Sequence, residues 1–357
     1  MKMLKYVSVG VASLAINMSP ALAEMNYEGR DITLLINFGA GGSTDIEGRL
    51  IAQHLGQYIP GNPNIIVQNM PGGGGNIGSN YLGMSAANDG TVVGFFTWNP
   101  IDQIIDAPGL LVPYSDFTFL AGMPQPTVFY MRADVAPGLE TPYDLLNAEH
   151  FRAGSLSPTI HQSVRTRLAL DLLEVPYTLV SGYAGLTEIA TAVMQNEVQL
   201  SNGSLASYRP TVEPLLIEPG IAIPLFHFDI ERDGEFSADP LVDGLGTVTF
   251  LDLYRARHGD DAMPGGDEWE ALRMINNIME AMYRSVFLPP NAPAEATETL
   301  RTAFAALAED EAFLSDYERV VGMRPTMTVG AQGQAVIDEL GEMDDAFKER
   351  FTAYVNQ

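Results

Sequence analysis

Cysteine is absent from the 357 residues, and lysine occurs only as Lys2, Lys5 and Lys348. Without cysteine there is no thiolate metal site, iron–sulfur cluster, cysteine nucleophile or disulfide. Scarce lysine argues against a pyridoxal Schiff base or a phosphate-binding Walker loop, since each needs that side chain. Basic residues are few altogether: 19 against 45 acidic ones, a formal net charge of −26. Such a polyanion repels nucleic acid and anionic membrane surfaces, whose binding depends on clustered Lys and Arg. After the first 23 residues no apolar run approaches the ~20 residues that span a bilayer, so no direct membrane insertion is expected.

What is present begins with an export signal. Met1–Ala23 has a basic start (Lys2, Lys5), an apolar run from Tyr6 to Ile16 and an Ala21-Leu22-Ala23 end. These features together read as a secretory signal peptide cleaved after Ala23, so an exported mature chain is expected. Glu24 follows, not cysteine, so a lipoprotein anchor is not expected. That stretch holds two of the basic residues and none of the acidic ones, so the mature chain carries −28. With 46 % hydrophobic residues it can build sizeable cores, and its length favours two domains.

Strands and helices alternate from the start. Ile32–Asn37, Asn64–Gln68 and Thr91–Phe96 are short apolar runs bounded by turn residues, and helical patterns lie between them. Three strands with intervening helices predict a parallel sheet wound in right-handed crossovers. From about Asp106 an irregular, proline-punctuated stretch precedes a second set, with strands at Thr127–Arg132, Tyr177–Val180 and Val198–Leu200. Ser201–Ser204 reads as a loop, Ile221–Phe226 as a return strand, and the chain beyond Trp269 as helical. The expected layout is a first lobe from residues 24–105 and 227–357 and a second lobe from 106–226.

Two glycine-rich junctions carry the chemistry. Phe38-Gly-Ala-Gly-Gly-Ser-Thr-Asp45 follows the first strand, and Gly72–Gly75 with Asn76 follows the second. A helix N-terminus presents unpaired N–H groups and about half a positive charge, and glycine lets a ligand approach those amides. Two such loops at the carboxyl edge of one sheet, where open α/β sheets bind ligands, would form an anion pocket without Lys or Arg. Two rival readings stand beside this one. Gly73, Gly75 and Gly78 satisfy a dinucleotide-binding pattern, but the next strand ends in Thr97-Trp98-Asn99 without the expected acid. Alternatively, both loops are only tight turns that begin helices.

At these residues the sequence resembles a known family. The run Ile36–Asp45 with Arg49 is similar to the first loop of the tripartite tricarboxylate transporter substrate-binding receptors, the Bug family of periplasmic binding proteins. Asn69–Gly78 followed by Asn88-Asp-Gly90 is similar to that family's second loop, with further similarity at Val175–Tyr177, Tyr183–Gly185 and Leu288–Pro293. The resemblance implies an α/β, type II periplasmic-binding-protein fold of two lobes closing on a small organic carboxylate. It assigns the ligand to Phe38, Gly41, Gly42, Ser43, Thr44 and Asp45 of the first loop and to Gly73, Gly74, Gly75 and Asn76 of the second. From the facing lobe it adds Ser155, Ser157, Thr159, Tyr183 and Gly185, and Trp98 after the third strand is a further candidate. It implies delivery to the small and large membrane subunits of a tripartite transporter, with no cofactor, no metal, no catalytic residue and a monomeric chain. Two departures are visible: Gly39-Ala40 replace the usual prolines, and the acidic segment Glu231–Glu270 is longer than usual.

Single residues are less specific. Asp45 fits a first-turn carboxylate paired with Arg49 at i+4 better than a ligand contact. Arg165, Arg167 and Arg209 are possible carboxylate clamps but fit surface or structural pairs better. The histidines show no metal-binding spacing. A secreted hydrolase using Ser and His lacks a G-x-S-x-G elbow. A sensory receptor for a membrane signalling partner would use the same closed state as a transport receptor.

Overall fold

The computed structural model describes residues 24–341 and 343–356; the signal-peptide reading of Met1–Ala23 lies outside them. Strands β1 (Ile32–Ile36), β2 (Ile65–Asn69) and β3 (Val92–Thr97) pair in parallel with β1 central, as the alternation predicts. The crossovers hold α1 (Ser43–Leu55) and α2 (Asn76–Met84), and α3 (Pro100–Ile104) follows β3. After β4 (Thr118–Met123) the chain crosses to a second sheet. That sheet comprises β5 (Thr127–Arg132), β6 (Phe151–Ser155), β7 (Tyr177–Ser181), β8 (Leu200–Ser204) and β9 (Ala222–His227). α4 (His161–Leu172) joins β6 to β7, and α5 (Leu186–Met194) joins β7 to β8. A hairpin of β10 (Ile230–Arg232) and β11 (Glu235–Ser237) leads to β12 (Val248–Thr249), which completes the second sheet. β13 (Arg284–Leu288) and β14 (Thr328–Val329) return to the first. The orders are β14-β4-β13-β3-β1-β2 and β12-β9-β5-β8-β6-β7.

Sheet membership moves the expected lobe boundaries of 106 and 226. β4 belongs to the first sheet, so the crossing falls at Pro124–Pro126, and β12 keeps the chain in the second sheet past 227. The stretch read as irregular conceals β4 because its prolines flank the strand rather than interrupt it, leaving Thr118–Met123 free to pair on both sides. Ser201–Ser204 is likewise part of β8, not a loop. These small polar residues are buried between β5 and β6, with Ser201 donating to the Gly154 carbonyl (3.1 Å). β13 was hidden within a region read as helical. Its Arg-Ser-Val-Phe-Leu run is buried throughout and inserts antiparallel between β3 and β4.

One long helix ties the lobes together. Gly266–Met282 buries Ala271, Leu272, Ile275, Met279 and Met282 and packs on α4 of the second lobe and β4 of the first. It ends two residues before β13, so the chain re-enters the first sheet at the lobe junction with Tyr283 and Arg284.

Candidate functional site

A cavity of about 380 Å³ lies between the lobes, within the size range of small-molecule sites. Its first wall is Phe38–Thr44, the loop from β1 into α1, with Ile46 and Thr97. The opposite wall comes from the starts of α4 (Ile160, His161, Gln162) and α5 (Gly185–Glu188), with Leu156, Ala206, Ser207 and Thr211. Tyr283 and Arg284 complete the lining at the junction.

Three helix N-termini therefore meet at one cavity. None has a side-chain cap from its own N-cap residue, which is Gly42, Ile160 or Gly185. Each such end leaves backbone N–H groups unpaired within the helix and carries about half a positive charge, so their convergence favours an anion.

The one guanidinium among the described lining residues is Arg284, 1 % exposed at the head of β13. Its Nε donates to the Glu47 carboxylate (2.6 Å), Nη2 to Ser43 Oγ (3.0 Å) and Nη1 to Thr97 Oγ1. Burial works against the Arg284 charge, but Glu47, together with Tyr283 and Tyr317, holds the pKa above the usual arginine value. Glu47 is satisfied in turn by the Tyr317 hydroxyl and by Gln125 Nε2 (2.7 Å), so both charges of the pair have partners, while Arg284 keeps N–H donors to spare. Gln125 stands in the Pro124–Pro126 crossing, which places this network where the lobes join. Thr44 and Thr97 share a hydroxyl hydrogen bond of 2.8 Å beside it.

His161 is the other distinctive lining group. Its Nδ1 lies 3.4 Å from the Arg165 guanidinium, its ring meets Tyr283 edge-on, and its Nε2 is buried with no partner. Burial, then Arg165 and Arg284, pushes its pKa well below the usual histidine value, so the ring is neutral. The Oε1 of Gln162 is also buried without a partner.

Of the residues expected to hold a ligand, Phe38, Gly41, Gly42, Ser43, Thr44 and Gly185 line this cavity, and the others do not. Asp45 points back into its own loop, accepting from the Gly41 amide (2.8 Å), Arg49 Nε (2.9 Å) and Asn69 Nδ2 (3.0 Å). Burial works against its charge, but those donors together hold the carboxyl below its usual range. The second glycine loop also lies elsewhere. Gly73 and Gly74 have φ of 60° and 66°, Gly75 has φ of 104°, and a Cβ on Gly74 would meet Ser157 at 3.8 Å. Asn76 donates to Asp102 (2.8 Å), which also accepts from Thr159 Oγ1 (3.1 Å). Ser157 and Thr159 are thus lobe-to-lobe contacts. Asn99 reinforces that seam by donating to the Thr159 carbonyl (3.1 Å) and accepting the His161 amide (2.9 Å). Trp98 is fully buried, its Nε1 donating to the Met282 carbonyl (2.6 Å). Ser155 is buried against Ser163, and Tyr183 donates to Glu197 (2.8 Å).

Lining groups that sequence reasoning did not assign to a ligand include Arg284, Tyr283, Gln162, Thr97, Glu188 and His161, the last weighed only as a hydrolase residue. Arg284 left one signal, a lone cation heading an apolar run. The three arginines considered as clamps stand apart from the lining. Arg165 lies behind His161, Arg167 donates to the carbonyls of Tyr354 and Val355, and Arg209 pairs with Glu213. Among the described residues no serine is hydrogen-bonded to a histidine ring; the imidazoles meet Asp316, Thr178, Arg165, Thr247 and a backbone carbonyl.

No family model and no curated protein matches the sequence. Solved structures do match it. The periplasmic binding protein BugD is 16 % identical, covers 92 % of this chain and 98 % of its own, and superposes with a TM-score of 0.64. An R. palustris protein solved with adipate is 19 % identical over 92 % and 98 % of the two chains, with a TM-score of 0.66. MatC from Rhodopseudomonas palustris, with bound malate, is 18 % identical over 92 % and 99 %, with a TM-score of 0.63. The chain therefore has the two-lobed α/β fold of these periplasmic binding proteins, the fold that its glycine loops implied.

Proposed function

We propose that the protein is a periplasmic solute receptor of the tripartite tricarboxylate type, which captures a small organic carboxylate between its lobes. One observation carries this reading: three helix N-termini and a buried arginine converge on a single inter-lobe cavity in a chain that is otherwise strongly acidic. An anion there meets backbone dipoles and Arg284 at short range, where they outweigh the diffuse negative surface. The carboxylates bound by two proteins of the same fold, adipate and malate, support the ligand class. Binding proceeds by hinge closure about the Pro124–Pro126 crossing and the Met282–Arg284 re-entry, and involves no chemistry on the ligand. The loaded receptor delivers its ligand to small and large membrane subunits after export through the N-terminal signal.

Thermal-shift screening against carboxylates, their amides and amines tests the reading. A ligand that binds only the folded state raises the melting temperature by mass action. Carboxylates are expected to raise it and the matched amides to leave it unchanged. Stabilisation by amines or amides alone would contradict the proposal.

A further inference from the structure

The three helix ends at the cavity are not electrically equivalent. α1 carries Asp45 and α5 carries Glu188 in the first turn, whereas α4 has no acidic residue there. Asp45 accepts the Gly41 amide and Glu188 accepts the Ala184 amide (2.6 Å), so both of those ends are already matched by a carboxylate of the chain. The α4 end has no carboxylate: its first amide, that of His161, is taken by the neutral Asn99 Oδ1 (2.9 Å), and the His161 ring is met by Arg165 behind it. A guanidinium only donates, so Nδ1 of the neutral ring is the acceptor and the ring proton sits on Nε2. That N–H is the buried donor that lacks a partner. Beside it, the unpaired Oε1 of Gln162 calls for a donor, which a second ligand carboxylate does not offer. Arg284, the lining guanidinium, is matched by Glu47.

We infer that the site selects a carboxylate with a single negative charge, seated at the α4 N-terminus against His161 Nε2–H and Arg284, with an uncharged, largely apolar body against Phe38, Leu156 and Leu186. This inference rests on the carboxylate reading above and narrows it. A second carboxylate on the ligand would be buried without a counter-charge and would face the wall that holds Glu188. The apolar side chains on both lobes offer the body of such a ligand a dry surface.

Calorimetric titration with hexanoate, adipate and hexanamide separates the possibilities, since the three share a chain length and carry one, two and no carboxylates. The benzoate, terephthalate and benzamide trio is measured alongside. In at least one trio the monocarboxylate is expected to bind tenfold or more tighter than the dicarboxylate, and the amide tenfold or more weaker than the monocarboxylate. A dicarboxylate binding as tightly as its monocarboxylate overturns this inference and leaves the carboxylate reading intact. An amide binding as tightly as its acid, or no binding in either trio, overturns both. His161→Leu is expected to lose tenfold or more of the monocarboxylate affinity while still melting cooperatively, and His161→Gln, which keeps a donor, to recover part of it. Unchanged affinity in His161→Leu would remove His161 from the seat.

Discussion

The two glycine loops follow equivalent strands and open equivalent helices, yet they do different work. In the first, Gly39 and Gly41 have nothing within 4 Å of where a Cβ would stand, and Gly42 meets only the Gly39 carbonyl oxygen at 3.4 Å. Their missing side chains leave space that belongs to the cavity, although Gly41, at a φ of 79°, also serves the turn. In the second, Gly72 to Gly75 all have positive φ, and a Cβ on Gly75 would stand 2.5 Å from Asn37 Nδ2. There the missing side chains are needed for the chain to turn at all. Glycine at a strand-to-helix junction thus admits two physical meanings, room for a ligand or permission for a backbone, and composition does not separate them.

The contrast can be broken most severely from behind the first loop. Arg284→Met leaves Glu47 buried without its cation, and urea unfolding should report a loss of about 3–5 kcal/mol. Carboxylate binding should vanish in the same variant. A loss below about 1 kcal/mol would mean that the pair does not hold the loop from the inside. Next comes the second loop. Gly75→Ala forces an L side chain to a φ of 104° against Asn37, and should cost on the order of 1–3 kcal/mol while the remaining folded protein keeps its ligand affinity. Gly42→Val is the mirror case. With φ at −80° the backbone tolerates a side chain, so stability should change by less than about 1 kcal/mol. Its side chain would instead fill ligand space, and calorimetry should record a loss of affinity of at least tenfold.

The smallest effects concern charge. The wall facing the first loop relies on a neutral His161, so affinity for a carboxylate should stay flat between pH 6 and 7, below the range in which Glu280, pushed up to about 8 by burial near Arg165, titrates. A steep rise on acidification would show that the ring gains a proton with the ligand. The same lowered pKa fixes the sign of its contribution to stability: full above about pH 6.5, and lost as the pH falls below it, because the unfolded chain then takes a proton that the folded ring refuses. Last, Arg49→Ala should cost no more than about 1 kcal/mol. Arg49 is half exposed, and Asp45 keeps its bonds to the Gly41 amide and Asn69.

Much of this architecture is written locally. The βαβ start, the position of the first loop and the two-lobed class follow from apolar runs, glycine punctuation and the similarity of whole blocks to a known family. What stayed hidden depends on long-range pairing. β4 and β13 are short and stabilise one another only once β13 inserts between β3 and β4, so neither announces itself within its own window. Arg284 enters the site for the same reason. Its partners Glu47, Ser43 and Thr97 lie more than 180 residues earlier in the chain. His161 is visible as a residue, but its role comes from being neutral, buried and half-partnered, a state that only the packed lobes create. The overall charge misleads in a similar way. A chain carrying 45 acidic residues still concentrates amide dipoles and one guanidinium in its cleft.

The most direct test is a crystal structure with the tightest-binding carboxylate. The account predicts carboxylate oxygens within hydrogen-bonding distance of His161 Nε2 or Arg284 and of the amides at the start of α4 or α1, with the second glycine loop out of reach. A carboxylate held by Gly73–Asn76, with His161 still unpartnered, would contradict it.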